Sequence, residues 1–118
     1  MKYKINRKDY LDASERINII AQKNSYMVKN EIVDQNLVVS SITPDFGDGS
    51  EVLSIDLEGT KDINIVFNVK LLIEVLKKLD SEFVIVEVID GEKPIVIKED
   101  NNHDYIYIMM PIKVRKDM

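Results

Sequence analysis

Residues 67–79 read Phe-Asn-Val-Lys-Leu-Leu-Ile-Glu-Val-Leu-Lys-Lys-Leu, the most clearly helical stretch of the chain. Its apolar residues recur at i, i+3, i+4 and i+7, the spacing that places side chains on one face of a helix. Asn68 stands before the first turn, where its side chain can accept hydrogen bonds from free backbone N–H groups. The spacing therefore predicts a buried face of Leu72, Val75, Leu76 and Leu79 and an outward face of Lys70, Glu74, Lys77 and Lys78.

Strand-like runs surround this helix. One run precedes it, and three more follow it, separated by the turn-forming pairs Asp90-Gly91 and Asn101-Asn102. The order strand, helix, strand, strand, strand therefore occupies the second half of the chain. The predicted strands are residues 63–67, 83–89, 95–98 and 105–114.

The first half of the chain shows the same order of elements. A strand at Tyr3–Ile5 leads into a helix that Asn6 can cap, with Asp9 three residues further on. One face of this helix is predicted to be Tyr10, Ala13, Ile17 and Ile20, and the other Lys8, Asp12, Glu15 and Arg16. The predicted strands are 27–33, 37–42 and 52–57, with a tight turn at Asp34-Gln35-Asn36 and a loop at 43–49.

The repeated order predicts an α+β fold made of a duplicated βαβββ unit. Two helices beside many antiparallel strands imply that both helices pack on one side of the sheets. The 118 residues are expected to form a single domain. Its pseudo-repeats are about 1–59 and 60–114, and residues 115–118 form a tail. An ordinary α+β domain of some other use is the alternative.

Composition limits the possible functions. The chain has 21 acidic and 16 basic residues, a net charge of −5, which argues against nucleic-acid binding if the charge is evenly spread. It has no cysteine, which rules out disulfides and thiolate metal sites. The basic amino terminus lacks the apolar run of a signal peptide, and no apolar stretch is long enough to span a membrane. We expect a cytoplasmic protein without a membrane association.

Catalytic chemistry is missing from the pattern. The single histidine, His103, lies in a polar turn, and no cysteine or serine partner is evident for it. Asp45, Asp48 and Glu51 do not have the spacing of an EF-hand loop. Gly47-Asp48-Gly49 lacks the lysine and helix start of a phosphate loop. We therefore expect no enzyme activity, no metal and no cofactor.

Four segments together resemble the third, carboxyl-terminal domain of the bacterial DNA polymerase III beta subunit, the sliding clamp. They are the helix at 67–79, the ending Tyr105-Ile106-Tyr107-Ile108-Met109-Met110-Pro111-Ile112-Lys113-Val114, the helix segment Glu15-Arg16-Ile17, and the loop Pro44-Asp45-Phe46-Gly47. The resemblance covers essentially the whole chain. It implies a processivity factor that encircles double-stranded DNA and holds a replicative polymerase on it.

The resemblance also implies where DNA would lie. In this family six domains close into a ring whose helices line the hole, and the contacts with phosphates are independent of sequence. A solvated helix face with mixed charges is the alternative reading. The candidate DNA-facing residues are Lys8, Arg16, Lys70, Lys77 and Lys78.

A second implied site lies near the carboxyl terminus. The family docks peptides of polymerases, clamp loaders and repair proteins in an apolar pocket between this domain and the preceding one. Alternation along a strand would explain the same apolar residues, although Pro111 in mid-strand favours a functional irregularity. The matching positions are Asn68, Leu71, Pro94, Ile108, Met110, Pro111 and Ile112.

Three departures from the family pattern leave the biological unit open. Leu71 stands where many members have an aromatic residue, and Arg115-Lys116-Asp117-Met118 continue past the usual end. The family's first two domains have no counterpart in this sequence. The chain is therefore either an excised fragment of a clamp or a natural one-domain relative, and ring-forming self-association is expected if the other domains or more copies are present. A standalone adaptor or decoy, which binds peptides without encircling DNA, is the alternative function.

Overall fold

The computed structural model describes residues 1–21, 26–42, 49–59, 63–101 and 106–112. Two helices and nine strands follow one another in these ranges. The first half holds β1 (Lys2–Asn6), α1 (Arg7–Ala21), β2 (Met27–Val33), β3 (Asn36–Ser41), β4 (Ser50–Ser54) and β5 (Asp56–Glu58). The second half holds β6 (Asn64–Asn68), α2 (Val69–Lys78), β7 (Phe83–Glu87), β8 (Ile95–Glu99) and β9 (Ile106–Met109).

Both helices begin at the predicted asparagine caps. The Asn6 Oδ1 atom accepts a hydrogen bond from the Asp9 N–H at 2.9 Å. The Asn68 Oδ1 atom accepts from the N–H groups of Lys70 at 2.9 Å and Leu71 at 3.3 Å. These bonds satisfy N–H groups that have no partner inside the helix, so both caps are confirmed.

Strands from the two halves combine in both sheets. The first sheet has the order β5-β1-β7-β8-β9 and the second has the order β4-β3-β2-β6, and all pairs are antiparallel. Thus β1 of the first half joins β7 of the second, while β6 of the second half joins β2 of the first. Because each half donates its first strand to the other half's sheet, neither half has a complete sheet of its own.

The junctions between the halves are reciprocal. The Arg7 N–H, at the start of α1, donates to the Glu82 carbonyl after α2 at 2.8 Å, and the Val69 N–H, at the start of α2, donates to the Tyr26 carbonyl after α1 at 2.9 Å. The Arg7 guanidinium also donates to the carbonyls of Ser81 at 2.7 Å and Leu76 at 3.0 Å. A cation at the carboxyl end of α2 suits the helix dipole there.

One hydrophobic core lies between the helices and the inner faces of the sheets. α1 and α2 pack against each other, and α1 also packs on strands of both sheets. The buried Tyr10 hydroxyl donates to the Asn30 Oδ1 atom at 2.6 Å, which satisfies these two oxygen atoms inside the core, whereas the buried Asn30 Nδ2 atom has no partner within the described residues. The α+β architecture with two helices and antiparallel sheets is therefore confirmed. The largest fully buried side chains include Tyr10, Phe67, Ile5, Leu37, Leu72, Leu76 and Ile97.

Two predicted strands are wrong in the same way. The predicted strand 52–57 is divided at Ile55, because β4 belongs to the second sheet and β5 to the first. In the described part of the predicted strand 105–114, which is residues 106–112, β9 ends at Met109 because residues 110–112 leave the first sheet, and the Ile112 N–H donates to the Val66 carbonyl of β6 at 2.7 Å. Pro111 therefore follows β9 and does not lie in mid-strand. The argument that a proline in mid-strand marks a functional irregularity no longer applies to it.

Smaller differences concern turns and helix faces. Asp34 and Gln35 have φ angles of 50° and 65°, as a two-residue hairpin turn between β2 and β3 requires, so the predicted turn is confirmed. On α1 the buried residues are Tyr10, Ala13, Ser14, Ile17 and Ala21, whereas Ile20 is only half-buried. The buried face of α1 is therefore rotated from the predicted one, so that it includes Ser14 and Ala21 in place of Ile20.

Candidate functional site

The predicted cations all lie on the solvent side of the helix pair. Each of them is exposed, and α1 and α2 lie side by side. Three basic and three acidic residues occur on α1, whereas α2 has three basic residues and one acidic residue. The helix pair is therefore more positive than the chain as a whole, and its positive charge lies on α2. The cations are Lys8 and Arg16 on α1, and Lys70, Lys77 and Lys78 on α2.

Two of these cations are held by carboxylates. The Arg16 Nε atom donates to Glu51 Oε2 at 2.7 Å, and its Nη2 atom donates to Glu51 Oε1 at 2.6 Å. These bonds are the main cause that raises the pKa of the Arg16 guanidinium. The Lys77 Nζ atom lies 3.5 Å from Glu15 Oε1, so this ion pair bridges the two helices.

The other three cations have no such carboxylate within the described residues. The Lys70 Nζ atom lies 5.6 Å from the centre of the Tyr26 ring, a cation–π contact. Lys8 and Lys78 extend into solvent at the start of α1 and the end of α2. These lysines leave their positive charge available to an external anion.

The predicted pocket residues surround the segment 110–112, which leaves β9 and reaches β6. Ile112 is bonded to Val66, two residues before the Asn68 cap that opens α2 and positions Leu71. At the other end of the segment, Met109 lies opposite Ile95, so that Pro94 and Met110 flank the same pair. The segment 110–112 therefore connects the end of β9, where Pro94 and Met110 lie, to β6, which leads into the Asn68 cap and Leu71.

The surface around residues 110–112 exposes apolar side chains. Leu71 is 50% exposed, Ile108 67% and Met110 65%, whereas the neighbouring Met109 is only 5% exposed. Pro94 is exposed, and Asn68, Pro111 and Ile112 are half-buried. An exposed cluster of this kind on a soluble domain commonly marks a contact surface.

Leu71, Ile108 and Met110 stay exposed on this surface. A groove of about 460 Å³ is lined by Ile112, and none of the other predicted residues is among those that line it. The predicted site is thus an open apolar surface in this chain, with one wall present. The groove is lined by Lys29, Ser41, Ile42, Asn64, Val66, Gly91, Glu92 and Ile112.

Sequence reasoning missed three residues that shape these surfaces. Glu51 pairs with Arg16 from 35 positions away, and Arg7 reaches the end of α2 from 69 positions away. No local pattern marks such distant partners. Ile106, which is 55% exposed, extends the apolar surface along β9, and its alternation with Ile108 was the signal that could have identified it.

Other predictions concern parts of the chain that the structure does not describe. His103, the loop residues Pro44–Gly47 and the tail 115–118 lie outside the described residues. Within the described ranges, no group of three or more His, Cys, Asp or Glu side chains could hold a metal ion. None of the described helices is long and apolar enough to cross a membrane.

Two adjacent helices with an exposed cationic side, packed on two antiparallel sheets that exchange strands, define a domain of the sliding-clamp type. The chain belongs to the DNA polymerase III beta subunit family, because residues 1–113 match the model of that family's C-terminal domain. The resemblance seen in the sequence is confirmed.

Individual relatives agree with this assignment. The beta sliding clamp of Rickettsia felis is 34% identical over 121 residues, which cover 96% of this chain and 32% of the relative. The crystal structure of the DNA polymerase III beta subunit of Thermotoga maritima matches with a TM-score of 0.90 at 32% identity, over 97% of this chain and 31% of that one. The Bartonella birtlesii clamp, solved bound to griselimycin, matches with a TM-score of 0.86 at 26% identity, over 96% and 30%. The chain thus spans about a third of the length of its relatives.

Proposed function

We propose that this chain acts as a domain of a DNA sliding clamp, a non-catalytic processivity factor that keeps a replicative DNA polymerase on double-stranded DNA in the cytoplasm. The observation that carries the proposal is the exposed apolar end around residues 110–112 in a chain of this family. A folded domain gains stability by burying such side chains, so their exposure indicates a surface kept for a partner.

DNA is proposed to face the helix pair. The exposed lysines of α2 and Lys8 of α1 can contact phosphates without reading bases, which is the kind of contact that permits sliding. The acidic residues of α1 keep these contacts weak. α2 has three basic residues and one acidic residue, so the face proposed for DNA is locally positive although the chain as a whole is negative.

Clamp-binding peptides of polymerase, clamp-loader and repair proteins are proposed to dock at the apolar end. Met110 suits this role because its flexible thioether adapts to different apolar partners, and Leu71 and Ile108 offer exposed apolar area beside it. A Leu or Phe anchor entering this surface would provide most of the binding energy. The resemblance implies that a preceding domain supplies the other wall.

Ring contacts are proposed at the sheet edges formed by β4 and β9. β4 is one of the two edge strands of its sheet and β9 is one of the two edge strands of the other, and within the described residues neither has a strand paired on its outer side. Val52 on β4 and Ile106 on β9 are exposed apolar residues at these edges. An unpaired edge with apolar side chains is well suited to join a neighbouring domain. We further propose that one domain with pseudo-repeats of about 1–59 and 60–114 is the unit that repeats round the ring.

Peptide binding tests the proposal. A fluorescent peptide with a Leu-Phe anchor is titrated with the wild-type chain and with Met110→Ala, and its anisotropy is measured. We expect saturable binding that Met110→Ala weakens about tenfold, the loss typical of a contact near 1.4 kcal/mol. Val52→Ala is the matched control, because Val52 is 66% exposed on the opposite edge and should not affect the affinity.

The outcomes separate the proposal from its alternatives. Equal affinities for wild-type and Met110→Ala, or no binding when the preceding domain is supplied, would contradict peptide docking at this surface. Sedimentation then addresses the ring: a stable monomer that binds the peptide but has no affinity for DNA would identify an adaptor and not a clamp.

A further inference from the structure

Arg16, the arginine among the predicted DNA-facing cations, is already paired with a carboxylate and cannot bind a phosphate with the same N–H groups. Arg16 forms two short hydrogen bonds to Glu51, and this paired geometry is the one in which a guanidinium also binds phosphate. Arg16 must therefore release one or both bonds before it can contact DNA in the same way. Its carboxylate partner competes directly with the DNA backbone.

The position of Glu51 is set by the second sheet, which allows its carboxylate to compete with a DNA phosphate for Arg16. Glu51 belongs to β4, where it lies opposite Val39 of β3, so its backbone position is set by the sheet and not by α1. Its side chain is 25% exposed, compared with 59% for Arg16. The carboxylate thus stays in place while the arginine side chain is the part that can move.

A second acidic residue acts on α2. Glu15 lies 3.5 Å from the Lys77 Nζ atom, and both side chains are largely in solvent, at 45% and 61% exposure. An exposed single contact of this length is weak and is screened by salt. Glu15 should therefore restrain Lys77 less than Glu51 restrains Arg16.

We propose that Glu51, and to a smaller extent Glu15, determine how strongly the helix face binds duplex DNA by occupying Arg16 and Lys77. This proposal rests on the proposed DNA-facing role of the helices. It adds that two of the predicted cations, Arg16 and Lys77, are paired with carboxylates when no DNA is bound. Lys8, Lys70 and Lys78 then make the resting contacts. A weak, replaceable hold on DNA is what a sliding protein requires.

The salt dependence of DNA binding tests this inference. The full chain is titrated against a fluorescent random-sequence duplex at about 20–200 mM salt, using wild-type, Glu51→Gln, Glu15→Gln and Glu58→Gln. Each phosphate contact adds about 0.9 to the slope of log affinity against log salt. We expect Glu51→Gln to steepen the slope by about this amount, and Glu15→Gln to steepen it by less.

Glu58→Gln is the matched control. It removes the same charge from an exposed carboxylate that pairs with Lys2 at 3.6 Å on β5, on the sheet side of the molecule. A change of net charge alone would affect Glu51→Gln and Glu58→Gln equally. Adding Arg16→Ala to Glu51→Gln should return the slope to the wild-type value, because the released cation is then absent.

Different results of this titration would overturn the role of Glu51 and the DNA-facing role of the helices. If wild-type binding depends on salt but Glu51→Gln and Glu58→Gln have the same slope, Glu51 is a structural partner of Arg16 only, and the inference is overturned while the DNA-facing role stands. If neither wild-type nor Glu51→Gln binds the duplex at the lowest salt, both are overturned. Melting temperatures of all variants show that each one is folded.

Discussion

Two of the passages of the chain from one sheet to the other, at Ile55 and at residues 110–112, leave different surfaces and are called the first and the second passage. The first passage, at Ile55, connects β4 to β5, and its side chain packs against the core. The second passage, at residues 110–112, carries the chain from β9 to β6 and leaves Met110 65% exposed. The passage in the first half of the chain thus adds a side chain to the core, whereas the passage in the second half leaves an apolar side chain exposed. The candidate binding site lies where the two halves differ in this way.

The largest expected effect comes from the tyrosine that supports the first passage. Tyr3 of β1 lies opposite Leu57 of β5, and burial raises its pKa from 10.0 to about 12. The corresponding position of β6, beside the second passage, is Ile65, which cannot ionise. High pH should therefore lower the free energy of unfolding of the domain through the tyrosine beside the first passage, whereas the matching residue beside the second passage makes no such contribution.

The direction follows from proton binding. The folded state holds the Tyr3 proton more tightly than the unfolded state does, so this contribution to stability is complete below about pH 10 and is lost as the pH rises towards 12. The loss should be about 3 kcal/mol at the end of this range, and the buried Tyr10 should add to it. Denaturant unfolding at several pH values measures it, with Tyr3→Phe as the control. An equally steep fall in Tyr3→Phe would contradict the prediction.

Truncating one residue at each passage gives the next largest effect. Ile55→Ala removes a half-buried side chain from the core and should lower the free energy of unfolding by about 1–3 kcal/mol. Met110→Ala removes a mainly solvated side chain and should change it by less than about 0.5 kcal/mol. Urea unfolding of both variants measures the difference. Equal losses would show that both passages serve the core, and the comparison would fail.

The smallest effect concerns the proline of the second passage. Pro111 restricts the unfolded chain, so Pro111→Ala should lower the free energy of unfolding by about 0.4–1 kcal/mol without removing a core contact. The Ile112–Val66 hydrogen bond should survive, because it belongs to the following residue. Amide exchange at Ile112 and thermal unfolding measure the two effects. A loss as large as that of Ile55→Ala would mean that the second passage is also structural.

Local signals made most of the fold predictable. The asparagine caps and the apolar spacing of α2 involve residues within one or two helical turns. Both caps are present, and Leu72, Leu76 and Leu79 are buried as predicted, whereas Val75 is only half-buried and Ile73 is buried instead. The passage at Ile55 left no such signal, because Leu53, Ile55 and Leu57 all point towards the core and keep the alternation of a single strand. The same alternation concealed the end of β9.

The candidate site was predictable to a smaller extent. The resemblance predicts that Leu71, Ile108 and Met110 belong to a peptide-binding surface, and the structure leaves all three side chains exposed. The Arg16–Glu51 pair depends on how α1 lies over β4, which spacing along the chain does not determine. An ion pair between residues that are distant in sequence therefore could not be predicted from the sequence pattern.

Amide chemical shifts during a peptide titration test the central claim most directly. The ¹⁵N-labelled chain is titrated with the Leu-Phe peptide, and the shifts of both passages are followed in the same spectra. We expect changes at the amides of residues 66–71, 95, 106–110 and 112, since Pro94 and Pro111 have no N–H group, while the amides of residues 53–58 stay unchanged. Changes centred on 53–58, or none in the second passage at saturating peptide, would contradict the account.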